Sequence, residues 1–150
     1  QRFTFSILHH KTMEITKQYL NELTYAFLGC CINVHKELGP GLLETVYHQC
    51  LIEELKYERI SFSSEIIVPV IYRGSKIKTE LRADLFVENC LVVELKSTNE
   101  MKNIFEAQLL TYMHLLKAPK GILVNFNCLN LFKEGQKTFV NDFFSELQEN

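Results

Sequence analysis

Residues 81–96 place charged side chains inside a segment that otherwise has the composition of two buried β-strands. The two apolar runs meet near Asn89 and consist mainly of leucine, valine and phenylalanine. Asp84, Glu94 and Lys96 interrupt these runs. Because burying an unpaired charge is costly, two acids and a lysine in one apolar hairpin indicate a functional site.

The length of the turn between the two strands decides whether the two acids meet. Side chains alternate between two faces along a strand, so Glu94 and Lys96 share one face. A three-residue turn at residues 88–90 pairs Asp84 directly with Glu94. A two-residue turn places the acids on opposite faces unless a β-bulge corrects the register. The site hypothesis therefore requires an odd loop or a bulge.

Two carboxylates held side by side repel each other, and a divalent cation relieves that repulsion. Mg²⁺ takes a few carboxylates together with waters and substrate phosphate oxygens. Such an ion activates water, and Lys96 beside it would orient the water or neutralise the transition state. The simpler interpretation is an ion pair of Lys96 with Glu94 or Asp84 at a sheet end. The combination of all three residues favours a site.

The rest of the pattern predicts one α/β domain with the element order α-α-β-β-β-α-β and a weaker tail. Gly39-Pro40-Gly41 ends the first helix, and Pro69 suggests an edge strand. The third helix is apolar nearly all round, so we expect it to be buried. The predicted helices cover 21–38, 42–57 and 104–116, the strands cover 62–72, 77–87, 91–95 and 122–126, and the tail has a hairpin turning at Gly135 and a helix over 139–147.

Three polar residues on the predicted helices are further candidates. Glu44 lies three residues before Tyr47 and projects from the middle of an apolar stripe, where it needs a partner. Its alternative is a partly solvated first-turn acid stabilised by the helix dipole. Gln108 and Tyr112 are four residues apart and share a face. A phosphate or a catalytic carboxylate would satisfy their polar ends, and hydrogen bonds within the helix explain them equally well.

Composition indicates a globular chain without a basic field of its own. The chain has 150 residues, 47% hydrophobic and 23% charged, with a formal net charge of −2. We predict an N-terminal extension at residues 1–20, where Met13 is a candidate original start, and a single domain over 21–150. Nucleic-acid contacts would need a local basic patch, and six candidates lie on loops and strands near the expected site: Arg59, Arg73, Lys76, Lys78, Arg82 and Lys102. The commoner explanation of such residues is a solvated surface.

The sequence also favours a cytoplasmic protein without membrane association. No apolar run is long enough to span a membrane, and residues 1–15 lack the apolar core of a secretory signal. The five cysteines are odd in number and include no CxxC pair, which argues against structural zinc. Reduced, mostly buried thiols fit the pattern better.

Together these residues resemble a known group. Asp84 followed by Glu94-Leu95-Lys96 resembles the signature of PD-(D/E)XK nucleases. Gln108-Leu-Leu-Thr-Tyr112 is similar to the QxxxY motif of the RecB-like branch of that superfamily. Gly41-x-x-Glu44-x-x-Tyr47 matches the motif that names the GxxExxY protein family, which is placed in the same superfamily. The resemblance covers roughly residues 23–127.

The resemblance implies a restriction-endonuclease-like core, a mixed sheet flanked by helices with the acids at one end. It implies that Asp84, Glu94 and the backbone carbonyl of Leu95 ligate Mg²⁺ or Mn²⁺ and that Lys96 assists the attacking water. Glu44 would serve as an additional metal-contacting acid. Gln108 and Tyr112 would steady the site or a phosphate, and Ala83 replaces the usual proline before the aspartate.

These features lead to three hypotheses about function. The first is a metal-dependent nuclease acting on nucleic acid, with DNA favoured. The second is a catalytically inactive nuclease-like module that binds nucleic acid or a protein partner. The third is an ordinary structural domain, in which Glu44, Asp84 and Glu94 would be far apart. The sequence leaves open a homo-oligomer and a protein partner.

Overall fold

The computed structural model describes residues 14–150, so the candidate start at Met13 lies outside the described part. In this part the chain forms five helices and seven strands. The helices are α1 (Lys17–Leu38), α2 (Glu44–Tyr57), α3 (Asn103–Leu115), α4 (Leu131–Glu134) and α5 (Asp142–Ser145). The strands are β1 (Phe62–Ile67), β2 (Val70–Tyr72), β3 (Ser75–Ile77), β4 (Arg82–Val87), β5 (Leu91–Lys96), β6 (Lys120–Asn125) and β7 (Gln136–Val140).

Five of the strands form one mixed sheet in the order β1-β4-β5-β6-β7. Strands β5 and β6 are parallel, and the other neighbours in this sheet are antiparallel. The helix α3 connects the parallel pair, because two parallel strands cannot be joined by a tight turn. The predicted α/β class, the mixed sheet flanked by helices and the core element order are confirmed.

Apolar cores cover both faces of the sheet. On one face α1 and α2 pack against β-strand residues that include Leu85, Val93 and Leu95, all fully buried. On the other face α3 packs Leu109, Tyr112 and Met113 against residues such as Val92 and Leu123. A Cβ atom at Gly121 of β6 would lie 2.5 Å from the Met113 Sδ atom. The missing side chain therefore lets α3 lie close to the sheet.

Two predicted long strands are each divided, and their inner ends form a separate hairpin. Strand β1 ends at Ile67, before Pro69, and β2 and β3 then pair only with each other. Proline has no N–H to donate to a neighbouring strand, so the ladder stops there. The turn between β2 and β3 has positive φ angles at its two central residues, Arg73 (51°) and Gly74 (82°). This conformation is typical of two-residue hairpin turns. The predicted edge position of β1 is confirmed.

Helix boundaries and the tail differ in detail from the predictions. Helix α1 begins at Lys17 rather than at residue 21, because the Thr16 hydroxyl caps it by accepting the Tyr19 N–H. The expected burial of α3 is wrong for its outer face, where Ile104 is 66% exposed. Gly135 ends α4 in the connection to the last strand, and α5 is shorter than predicted because Phe139 pairs with β6. No helix within residues 14–150 is long and apolar enough to cross a membrane.

Candidate active site

The β4–β5 turn has the length that the site hypothesis requires. It contains Glu88, Asn89 and Cys90, between the paired residues Val87 and Leu91. Positive φ angles at Glu88 (51°) and Asn89 (54°) allow this tight connection. The register continues through a Leu85–Val93 pair, so the next position along β4 places Asp84 opposite Glu94. The predicted register is confirmed.

The carboxylates of Asp84 and Glu94 replace the backbone ladder at this point. The Leu95 N–H donates to Asp84 Oδ2 at 2.7 Å, and the Asp84 N–H donates to Glu94 Oε1 at 3.3 Å. The regular pairing of β4 with β5 stops at Leu85 and Val93. Asp84 therefore accepts the N–H of the residue after Glu94, and Glu94 accepts the N–H of Asp84 itself. One oxygen of each carboxylate is engaged in this way.

Glu94 is a buried acid beside a second acid. Its side chain is 4% exposed. Burial raises the pKa of Glu94 to about 8, and the charge of Asp84 and the hydrogen bond between the two side chains add to the increase. Lys96 acts in the opposite direction. In the metal-free protein near neutral pH, Glu94 thus favours its protonated form, and a cation beside the two acids would favour the ionised form instead.

Lys96 lies close to the acids without forming a simple ion pair. Its charge lowers the pKa of both Glu94 and Glu44. Within residues 14–150 it makes no ion pair with Asp84 or Glu94, since the ion pairs there are Lys17–Glu149, Lys56–Glu53 and Lys137–Glu106. Its Nζ atom lies 4.4 Å from the ring centroid of Phe105 on α3, a cation–π contact. The amine is therefore held near the acids, and its N–H groups are not used in an ion pair with them.

Glu44 is the first residue of α2 and approaches the same end of the sheet. Partial burial raises the pKa of Glu44, and the charge of Asp84 raises it further. Lys96 and His48 act in the opposite direction. Glu44 therefore lies within electrostatic range of both strand residues.

The turn between α1 and α2, residues 39–43, is shaped by Tyr47. Its hydroxyl donates to the Gly39 carbonyl at 2.6 Å and accepts the Leu42 N–H at 3.1 Å. The Tyr47 ring is fully buried and stacks on Phe126, with centroids 4.5 Å apart. Gly39 and Gly41 have φ angles of 71° and 94°, which side chains rarely adopt. The glycine and tyrosine of the Gly41-x-x-Glu44-x-x-Tyr47 motif thus fix where Glu44 begins its helix.

Gln108 and Tyr112 lie on the face of α3 that looks toward the acids. The Gln108 Nε2 atom donates to the Tyr112 hydroxyl at 3.2 Å, so the hydrogen bond within the helix that was the alternative to a functional role is present. Burial and the charge of Glu94 raise the pKa of Tyr112, the hydrogen bond from Gln108 lowers it, and Asp84 raises it slightly. Tyr112 therefore lies near the acid pair, and Gln108 reaches the site through Tyr112.

Two residues that hold the site together were missed by the sequence analysis. The Ser97 hydroxyl donates to the Leu42 carbonyl at 2.5 Å and ties the α1–α2 turn to the end of β5. Asn125 accepts the Thr98 N–H at 3.1 Å and donates to the Thr98 carbonyl at 3.0 Å. The available signal was a buried asparagine at the end of an otherwise apolar strand. Ser97 carries no signal, because its partner is a distant backbone carbonyl.

The expectation that Arg59 lies near the site is wrong. Arg59 precedes β1, and Phe62 at the start of β1 pairs with Val87 at the end of β4. That end of the sheet is opposite to Asp84, because Asp84 lies near the start of β4. Lys102 precedes α3, directly after the loop that follows Lys96.

The donor set fits a hard divalent cation only with help from solvent or substrate. No group of three or more His, Cys, Asp and Glu side chains in residues 14–150 is arranged to hold a metal ion. Mg²⁺ is commonly bound by one or two carboxylates plus waters and substrate phosphates, and not by a complete cage of protein ligands. Asp84 and Glu94 supply those two carboxylates, and a cation would offset the repulsion that opposes ionisation of Glu94 beside Asp84.

The fold and this geometry agree with the comparison with protein families. The chain belongs to the PD-(D/E)XK nuclease superfamily, whose family model matches residues 21–139. No curated protein and no solved structure matches the chain. The five-stranded mixed sheet flanked by helices is accordingly a restriction-endonuclease-like fold. Membership supports a nuclease that acts on nucleic acid, in a superfamily that generally uses divalent metal ions.

Proposed function

We propose that this protein is a Mg²⁺- or Mn²⁺-dependent nuclease that hydrolyses the phosphodiester bonds of DNA. The observation that carries the proposal is the interlocked pair of Asp84 and Glu94, with Lys96 beside it and outside any ion pair with them. A structural ion pair would have used the lysine to neutralise an acid. Here the lysine is held on an aromatic ring.

The residues of the β4–β5 hairpin would hold the ion and prepare the water. Asp84, Glu94 and the Leu95 carbonyl are the proposed ligands, with water and a phosphate oxygen completing the shell. A bound Mg²⁺ or Mn²⁺ would supply charge stabilisation at the phosphate and increase the acidity of water. The Lys96 amine would donate a hydrogen bond to the attacking water or to a phosphate oxygen as charge develops there.

The helical residues would complete the site from two directions. Glu44 at the start of α2 adds a third acid near Asp84. Tyr112, whose hydroxyl accepts a hydrogen bond from Gln108, would steady the Glu94 carboxylate or a phosphate. These two helical motifs also support our assignment to the GxxExxY family within the RecB-like branch.

The test is digestion of labelled DNA by the purified chain. Linear and circular, single- and double-stranded DNA, and RNA of the same sequence, are incubated with Mg²⁺, Mn²⁺ or EDTA. We expect metal-dependent cleavage of DNA that falls by about 100-fold or more in Asp84→Ala. The matched control is Asp142→Ala, which changes an exposed aspartate at the start of α5. Cleavage that persists in Asp84→Ala, or in EDTA, would overturn the proposal.

A second candidate is the inactive module that binds nucleic acid or a protein partner. The observation that favours it is that no three-carboxylate group in residues 14–150 is preassembled for a metal. Calorimetric titration with Mn²⁺ separates the two candidates. A nuclease site should bind Mn²⁺ in a manner that Asp84→Ala abolishes, whereas an inactive module should show no such binding and its Lys96→Ala variant should retain partner binding.

We further propose that the protein works in the cytoplasm. All five cysteines are free, and three of them are buried. Burial raises the pKa of Cys30 and of Cys90 to about 12, so neither thiol is reactive at neutral pH. Unpaired structural thiols are typical of a reducing compartment.

A further inference from the structure

A short basic hairpin projects from the active-site end of the sheet. This basic hairpin comprises residues 67–82, with β2, β3 and the segments that connect them to β1 and β4. Strands β1 and β5 are both antiparallel to β4, so they run in the same direction. The end of β1 at Ile67 therefore lies at the same sheet end as Lys96 of β5. The hairpin returns to the sheet at Arg82, two residues before Asp84.

The charge of the hairpin is opposite to that of the rest of the chain. The segment contains four basic residues and one acidic residue, so its net charge is +3, whereas the whole chain has −2. All four basic side chains are exposed, and none forms an ion pair with any residue in 14–150. These cations are Arg73, Lys76, Lys78 and Arg82. A cluster of unpaired cations beside a nuclease site complements a phosphate backbone.

Large apolar side chains are interleaved with these cations. Ile71 is 69% exposed and Tyr72 is 66% exposed, both on β2. Strands β2 and β3 pair only with each other, so this two-stranded sheet is not part of the central sheet. An exposed aromatic ring among cations is the combination that binds unpaired nucleotides, because every base offers a face for stacking. A duplex conceals those faces except at its ends.

We propose that the basic hairpin binds the unpaired strand of the nucleic-acid substrate next to the bond that is cut. Arg73 and Lys76 would contact phosphates, and Tyr72 would stack on a base. The inference rests on the proposed nuclease function for the position of the scissile phosphate, and it makes a claim about binding that is measured separately from cleavage. It predicts a preference for single-stranded DNA or for frayed duplex ends.

The chain offers a closely matched pair of variants for the test. Arg73 and Arg59 are both exposed arginines with positive φ angles, 51° and 57°. Asparagine tolerates this backbone conformation better than most residues, so Arg73→Asn and Arg59→Asn should each preserve the fold. Arg73 lies at the tip of the basic hairpin, whereas Arg59 lies at the opposite end of the sheet. Both variants remove one positive charge.

The measurement is fluorescence anisotropy of a labelled single-stranded oligonucleotide, titrated with the full chain in EDTA so that no cleavage occurs. Near 0.1 M salt, we expect Arg73→Asn and Lys76→Gln each to weaken binding about five- to tenfold and to reduce the salt slope by about 0.7. Arg59→Asn should bind like the unmodified chain. Tyr72→Ala should weaken binding to the single strand more than binding to a blunt duplex.

The outcomes separate this inference from the proposed nuclease function. Hairpin-dependent binding without any cleavage would support the hairpin and contradict the nuclease. Metal-dependent cleavage with binding that Arg73→Asn and Lys76→Gln leave unchanged would overturn the hairpin and retain the nuclease. Equal losses in Arg59→Asn and Arg73→Asn, or no binding at all, would also overturn the hairpin. The hairpin proposal would also be overturned if the chain formed a dimer that Ile71→Asp dissociated without affecting DNA binding. A second copy of the chain would then cover this surface.

Discussion

At the scale of single residues, Glu94 combines burial with an unfavourable charge. Its neighbours on β5, Val93 and Leu95, are fully buried, and its own side chain is 4% exposed. Asp84 lies beside it, and the Asp84 N–H donates to Glu94 Oε1. A neutral side chain of the same shape would fit this position with less desolvation. Such a mismatch between stability and residue choice is common where a residue serves a function.

We therefore expect Glu94→Gln to stabilise the metal-free protein while it abolishes activity. Glutamine is neutral without having to take up a proton on folding, and it can still accept the Asp84 N–H. A gain of about 1 kcal/mol would raise the Tm by roughly 2–4 °C for a chain of this size. The measurement is thermal unfolding in EDTA together with the DNA cleavage assay. Glu146→Gln, at an exposed position after α5, is the control and should change neither value. A lowered Tm in Glu94→Gln would contradict our explanation.

The sequence predicted that Asp84 and Glu94 meet only on the condition that the turn between their strands has the right length. Alternation of faces along a strand required an odd turn for the two acids to meet. The turn contains Glu88 and Asn89 at positive φ and no glycine, so its residues gave no clear length. The turn length depends on how β4 and β5 pair in the assembled sheet.

At the scale of elements, the α1–α2 turn connects a sequence motif to the site. Tyr47 bonds to both ends of the turn, and Ser97 ties Leu42 to the end of β5. The turn thereby couples the start of α2 to the strand that carries Glu94 and Lys96. The motif residues Gly41 and Tyr47 act by shaping the backbone, and Glu44 is the motif residue whose pKa responds to the charge of Asp84.

Removing the Tyr47 hydroxyl should loosen this coupling. Tyr47→Phe leaves the Gly39 carbonyl and the Leu42 N–H without their partner. We expect the free energy of unfolding to fall by about 1–3 kcal/mol. Because Glu44 loses its fixed position, DNA cleavage should fall on the order of tenfold to 100-fold. Denaturant unfolding and the cleavage assay measure the two effects.

The control for this variant is Tyr72→Phe, which removes a hydroxyl from an exposed ring. Its free energy of unfolding should remain unchanged. If Tyr47→Phe lowered stability and left cleavage intact, Glu44 would not depend on the turn for its role.

Elements were predictable from sequence where one local signal acted alone. Gly39 ends α1 with its N–H donating to the His35 carbonyl, as the glycine predicted. The division of the predicted strand 62–72 depended on Pro69 and on the pairing of β2 with β3. Local composition did not show that division, because apolar β-branched residues continue through it.

At the scale of the whole molecule, charged groups lie at both ends of the sheet. The acid pair and the basic hairpin share one end. At the other end, Lys120 begins β6 opposite Leu91, and its Nζ donates to Asn21 Oδ1 on α1 at 2.9 Å. Lys120 is 7% exposed, and burial lowers the pKa of its amine. The fold therefore carries a second buried charge that is far from the site.

This second charge gives a pH dependence of stability with a defined sign. The pKa of Lys120 is lower in the folded chain than in the unfolded one, so burial of the charged amine reduces stability at neutral pH. As the pH rises through the folded pKa toward the unfolded value of 10.5, this penalty disappears. Lys120→Met should therefore be more stable than the unmodified chain at pH 7, and the difference should shrink as the pH rises into that window.

Denaturant unfolding of Lys120→Met from pH 7 up into that window measures this difference. Lys117→Met is the matched control, because Lys117 is an exposed lysine three positions away. Its stability should follow that of the unmodified chain at each pH. A loss of stability in Lys120→Met at pH 7 would show that the bond to Asn21 outweighs the cost of burial.

The sequence by itself determined the main element types, the mixed α/β class and a candidate set of site residues. Periodicity and cap residues act locally, and the charges of Asp84, Glu94 and Lys96 stand out against apolar neighbours. Only the tertiary structure decided which of these residues meet. The turn length, the tie from Ser97 to Leu42 and the projection of the basic hairpin all depend on contacts between distant segments. Such contacts form only when burial of both faces of the sheet fixes the strands and helices together.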